Sequence, residues 1–151
     1  NDVQFDRLVA TLEDALEKGA RIVHGGRHDR AKRFMEPTIL ADVSLDMRVM
    51  QEEVFGPLIS VFPYSDISEV YATLHEQPKP LALYVFSQDD AFIDDVLANT
   101  TSGGVTVNSC IMHVGEHNLP FGGVNNSGIG RYHSIHGFKE LSHERAVLYT
   151  A

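Results

Sequence analysis

An α/β fold with a mostly parallel sheet flanked by helices is predicted by three features of this 151-residue chain. Apolar residues recur at helical spacing in separate stretches. Short apolar runs suited to strands lie between those stretches. One run, LALYVF at 81–86, has no polar alternation, as expected of a strand buried on both faces. Strands that alternate with helices of this length indicate βαβ units.

The first helix is predicted from about 2 to 18, where Phe5, Leu8, Val9, Leu12, Ala15 and Leu16 form one stripe and Gly19 can take a left-handed cap. Residues 21–24 read as a strand. Gly25-Gly26 then turns the chain into 27–33, whose basic residues show no apolar period, so a solvated loop is expected there rather than a phosphate site. Further strands are expected at 37–40 and 58–62. Asp66 or Ser65 can cap a helix with Ile67, Val70, Tyr71 and Leu74 on its apolar face, ending before Pro78 and Pro80. After the 81–86 strand, 87–99 reads as a helix with Phe92, Ile93, Val96 and Leu97 inward and Asp89 and Asp90 near the positive end of its dipole. A strand at 104–108, a long loop at 109–130, a short helix at 132–141 and a last strand at 146–149 complete the pattern. No repeat, low-complexity tract or interdomain linker stands out.

Composition narrows the function. The formal net charge is −9, with 43% hydrophobic and 22% charged residues, an ordinary globular balance. Such a charge repels nucleic-acid phosphate and anionic membrane. The longest apolar run is far short of the ~20 residues of a membrane helix, and NDVQFDRL has neither a basic nor an apolar leader region. Cys110 is the single cysteine, which suits a reducing, cytoplasmic setting. An amphipathic pattern that starts at once from Asn1 reads as a trimmed chain or a piece of a larger protein.

Four features could carry chemistry. Gln51-Glu52-Glu53-Val54-Phe55-Gly56-Pro57 sets two acids before a turn into a strand, where an α/β sheet presents side chains to a ligand crevice. A carboxylate there can accept from both hydroxyls of a ribose while an aromatic ring packs on a flat heterocycle; on composition alone, an exposed acid pair and a core Phe is the simpler account. The stretch 119–130 is glycine-rich, but no Lys-Ser/Thr follows and the G-x-G-x-x-G spacing is missing. A turn that lets backbone approach closely fits it better. His113 and His117 lie four apart, and His133 and His136 three apart, yet HVGEH is not HExxH, so no metal is expected. Cys110 could be a nucleophile paired with a histidine, although a buried, inert thiol is the commoner outcome after a strand.

Taken together, QEEVFGP (51–57), KPLALYVFS (79–87), SGGVTVN (102–108), LPFGGVNNSGIGRYH (119–133) and GFKELSHERAVL (137–148) resemble the C-terminal part of the aldehyde dehydrogenase superfamily. The likeness is greatest to its class 3 branch of fatty-aldehyde and coniferyl-aldehyde dehydrogenases, and it covers nearly all of residues 1–151. It implies a partial catalytic domain, with 142–151 as a strand of the oligomerisation region. On the same resemblance Glu53 binds the nicotinamide-ribose hydroxyls of NAD or NADP and Phe55 lies against the nicotinamide. Asn108, Val114, Gly115, Phe121 and His133 fall on the aldehyde side. Ser134 stands where a glycine is usual, and Asn125-Asn126 where a glycine-containing pair is usual.

In that family the nucleophilic cysteine, the general base and the main dinucleotide-binding segment precede the EEVFGP motif. None of the residues before Glu53 is a cysteine. The resemblance therefore implies a homo-oligomeric parent, a dimer, that oxidises an aldehyde through a cysteine thiohemiacetal, and a piece that is inactive alone. A non-catalytic binding or interaction module that keeps the fold is the alternative. A third reading, a metal-dependent hydrolase built on the histidines, predicts bound zinc.

Overall fold

The computed structural model describes residues 1–151 and falls into two compact units, Asn1–Tyr64 and Ser65–Ala151. That division was not legible as a linker, because the residues around Tyr64 and Ser65 have no shift in composition.

The first unit begins with helix α1 (Asp2–Glu17). Asn1 caps it by accepting from the Gln4 N–H at 3.0 Å, and Gly19, at φ +104°, turns the chain out beyond its end. The expected stripe packs inward: Phe5, Leu8, Leu12 and Ala15 are buried. Strand β1 (Arg21–His24) pairs antiparallel with β4 (Thr38–Ala41), and β4 pairs parallel with β5 (Leu58–Ser60), so the sheet order is β1-β4-β5. Leu8, Leu12, Ala15, Leu40, Met47, Val49 and Leu58 make the core of this unit. At roughly 25 cal/mol per Å² of buried apolar surface, the leucine, methionine and valine side chains among them contribute about 1.5–3 kcal/mol each.

Two stretches differ from expectation. The predicted loop at 27–33 folds with its flanks into a hairpin of β2 (His28–Asp29) and β3 (Phe34–Met35). Its basic residues are all matched by acids: Arg27 with Glu36, Arg30 with Asp6, Lys32 with Asp29 and Arg33 with Asp2. Charge pairing, rather than an apolar period, accompanies this hairpin. Before the EEVFGP segment, helix α2 (Arg48–Gln51) starts where the Asp14 carboxylate accepts from the Arg48 N–H at 2.8 Å. That bond holds the Asp14 carboxyl below its ordinary range.

The second unit opens with α3 (Ile67–Glu76), capped by Asp66 and not Ser65: Asp66 Oδ1 accepts from the Ser68 N–H at 2.8 Å. Strand β6 (Ala82–Val85) and strand β7 (Gly104–Val107) run parallel, joined through α4 (Asp90–Asn99). Asp89 caps α4 through the N–H groups of Ala91 and Phe92. Tyr71 donates to Asp95 at 2.7 Å, tying α3 to α4. In β6 only Val85 is buried, with Ala82, Leu83 and Tyr84 half-buried, because the strand has one neighbour instead of two.

The long loop holds more order than its composition suggests: α5 (Met112–Gly115), a 3-10 turn at Asn125–Ser127, and an antiparallel bridge between Phe121 and Tyr132. Helix α6 (Ser134–Glu140) follows. The strand expected at 146–149 is not formed. Strand structure requires a paired strand, and residues 146–149 have none within this chain; Val147, Leu148 and Tyr149 lie exposed. Overall the class is α/β as expected. The strands form three small sheets rather than one, and parallel pairing is confined to β4–β5 and β6–β7 in two of them. No helix is long and apolar enough to cross a membrane.

Candidate functional site

Glu53 and Phe55 lie in the first unit, on the turn that leads into β5. Arg7 of α1 reaches this turn from below: its guanidinium donates to the Glu53 carbonyl at 3.2 Å and also to the Val54 carbonyl. The Thr38 N–H donates to the Pro57 carbonyl at 2.8 Å, and Gly56 sits so close to Leu8 that a Cβ would come within 2.4 Å of its Cδ2. The backbone is thus fixed on both sides of Phe55. Held in this way, Phe55 adopts φ +40° and presents a ring that is 79% exposed. A bulky residue in that region is strained, and the strain aims an aromatic face outward instead of into the core.

The two acids of the motif differ in what they do. Glu52 is engaged by Arg48 through contacts of 3.1 and 3.3 Å, and that hydrogen bond holds its carboxyl below the ordinary range. The Glu53 carboxylate is exposed and makes no hydrogen bond or ion pair. Of the two, Glu53 is the one free to accept from a diol. An unengaged carboxylate two residues from an outward-facing ring suits a ribose bearing a flat base.

The second unit carries the residues placed on the aldehyde side. Phe121 is half-buried in a cluster of rings: it stacks on His133 with centroids 5.6 Å apart and planes at 20°, meets Tyr132 edge-on at 5.4 Å, and lies 5.9 Å from His113. His133 reaches this position at φ +90° and has a buried Nδ1 without a partner. An open cavity of about 420 Å³ runs past Phe121, Tyr132, Ile129, Gly130, Gly137 and Leu141. Its walls are mostly apolar, which suits a hydrocarbon.

Other expected residues take different posts. Val114 and Gly115 belong to α5, and neither they nor His133 line that cavity. Space is open around Gly115, where no heavy atom lies within 4 Å of the position a Cβ would take. Asn108, at φ +56°, turns its side-chain amide back onto Ser87: Oδ1 accepts from the Ser87 N–H at 2.9 Å and Nδ2 donates to the Ser87 carbonyl at 2.8 Å. It thereby extends the β6–β7 pairing by one residue.

The glycine-rich stretch closes on itself. A Cβ on Gly122 would come within 2.2 Å of the Gly130 carbonyl oxygen, and one on Gly123 within 2.2 Å of that of Ser127, so these glycines serve backbone-to-backbone contact. Cys110 is exposed rather than buried, since the chain leaves the sheet at Asn108 and turns again at Ile111, φ +67°. No group of three or more His, Cys, Asp or Glu residues is arranged to hold a metal ion. Sequence reasoning missed Arg7 and Tyr132, and weighed His113 only as a metal ligand, whereas the structure sets it against Thr106 and Phe121. Arg7 sits 46 residues from the carbonyl it holds, so only the helical phase of α1, which puts it one residue from Leu8, hinted at it.

The model of the aldehyde dehydrogenase family matches residues 1–147. The dimeric, NADP-preferring aldehyde dehydrogenase of Canis lupus familiaris is 43% identical over 98% of this chain and 32% of its own length. Aldehyde dehydrogenase family 3 member A2 of Pongo abelii is 44% identical over 95% of the chain and 29% of its own. A solved structure described as the substrate-bound state of Staphylococcus aureus AldH superposes with a TM-score of 0.87 at 37% identity, over 100% of this chain and 34% of that one. The chain therefore spans about a third of the length of these relatives.

Proposed function

The chain belongs to the aldehyde dehydrogenase family, and from that premise we propose that the protein carrying it oxidises an aldehyde to a carboxylic acid with NAD or NADP as oxidant. The observation that carries the reading is the contrast between Glu52, paired with Arg48, and Glu53, unengaged and exposed beside an outward-facing Phe55. In this reading Glu53 accepts hydrogen bonds from both hydroxyls of the nicotinamide ribose, and Phe55 limits where the nicotinamide ring can lie. When bound, the nicotinamide takes up the hydride that the aldehyde carbon loses. Phe121, backed by His133 and Tyr132, offers the apolar wall against which the aldehyde's hydrocarbon is held and water excluded. The nucleophile and general base come from outside residues 1–151, so this chain alone is inactive. The parent is a homo-oligomer, a dimer, working in the cytoplasm.

The test uses the full-length protein. Reduced nicotinamide is followed on mixing with an aldehyde and either NAD or NADP, and the carboxylic acid is measured. Glu53→Gln removes one ionic acceptor, and losing a hydrogen bond to a charged group costs about 1.5–3 kcal/mol, or about 10- to 200-fold if realised in the transition state. Glu52→Gln, which only breaks an exposed ion pair, is expected to retain activity. Full-length protein that reduces neither cofactor with any aldehyde defeats the reading and favours a binding module that keeps the fold.

A further inference from the structure

We propose, building on the function just stated, that His113 is a positioning residue that fixes the Phe121 wall of the aldehyde cavity, through a clasp on Thr106. Strands β6 and β7 place Ala82 opposite Gly104 and Tyr84 opposite Thr106. Alternate residues of a strand face one side, so these four form a single patch. His113 covers it. Its Nδ1 lies 2.8 Å from Thr106 Oγ1, and its backbone N–H donates to the same oxygen at 3.3 Å. Its ring is 6.2 Å from that of Tyr84. Gly104 supplies the clearance: a Cβ there would come within 2.6 Å of His113 Cδ2 and 3.0 Å of Nε2.

On its other side the same ring meets Phe121 at 5.9 Å, and the next two residues are Val114 and Gly115. One buried side chain, 8% exposed, thus joins strand β7, the wall aromatic Phe121 and the short helix α5. The choice of imidazole is informative. A hydroxyl has one proton and two lone pairs, so Thr106 can satisfy both the His113 backbone and Nδ1. The Nε2 atom is left buried without a partner, a cost that an apolar ring would avoid. Only the imidazole both fills the space and ties the loop to the strand. Loosening it lets Phe121 shift, and discrimination between aldehydes of different length weakens.

The experiment is made on the full-length protein with Thr106→Val, which removes the hydroxyl at nearly constant shape, and Thr106→Ser, which restores it. Amide exchange across 109–115 is expected to quicken by about 3- to 10-fold in the valine variant and to return to the parent rate in the serine variant. The ratio of kcat/KM for a long-chain over a short-chain aldehyde is expected to fall by about 3- to 10-fold. That fall arises through the aldehyde KM, with the cofactor KM unchanged. His113→Asn, which keeps an amide near the Nδ1 position but lacks the outer ring, is expected to lower the ratio while exchange stays slow. Unchanged exchange in Thr106→Val overturns the clasp; faster exchange with an unchanged ratio overturns its role in specificity. A parent that oxidises no aldehyde overturns the function stated above, and the exchange measurement still judges the clasp.

Discussion

Phe55 shows how one residue can be costly to the fold and useful to the site. A non-glycine residue forced to positive φ costs on the order of 1–3 kcal/mol, and with its ring 79% exposed Phe55 gains little from burial. Phe55→Gly is therefore expected to leave the unfolding free energy within about 1 kcal/mol of the parent, since relief of strain offsets the extra entropy of an unfolded glycine. The same change is expected to raise the KM for the cofactor in the full-length protein. A large loss of stability on chemical denaturation would show that the ring is a packing residue. Glu36 gives a pH signature. Its hydrogen bond with Arg27 draws the carboxyl down from 4.5 to about 2. Because the folded value is depressed, its contribution is present in full above the unfolded value near 4.5 and is lost as pH falls toward 2. Glu36→Gln is expected to flatten that part of the stability–pH curve, lowering stability at neutral pH and changing it least near pH 2, where the parent carboxyl is already taking up its proton.

At the level of elements, caps and stripes were the readable part. Asp89 was expected near the start of its helix and does cap it, so Asp89→Ala is expected to cost about 0.5–2 kcal/mol, measured as a shift in the denaturation midpoint. The stripe of α1 was legible because burial repeats with the helical period. The β2–β3 hairpin was not, since its order comes from ion pairs between residues as distant as Asp2 and Arg33, and no local pattern encodes such pairs. The same limit applied to the site. The EEVFGP segment was visible as a motif, yet which of its acids is free depends on Arg48, and what holds the turn depends on Arg7. His113 was hidden more deeply. Its partner is seven residues away across a loop, at a spacing that belongs to neither helix nor strand.

For the molecule as a whole, surface is the telling property. Phe138, Leu141, Leu148 and Tyr149 are exposed by 69%, 92%, 86% and 91%, a run of large apolar side chains near the end of the sequence that a partner surface would cover. Strands β6 and β7 each leave one edge unpaired. Produced alone, residues 1–151 are expected to associate into dimers or larger species and to show no aldehyde-dependent reduction of a nicotinamide. Sedimentation at several concentrations checks the first expectation and a spectrophotometric assay the second. A monomer that unfolds cooperatively at high concentration would show that these faces need no cover.

The Asn108 amide, bonded through both its oxygen and its nitrogen to Ser87, also leaves the end of this pairing open to a single change of charge. Replacing the amide with a carboxylate would swap the donor facing the Ser87 carbonyl for a second acceptor bearing charge. Two oxygens would then oppose each other where a closed pair had been, and the end of the β6–β7 pairing would part. Asn108→Asp is expected to reproduce that parting, read as a lowered temperature of unfolding.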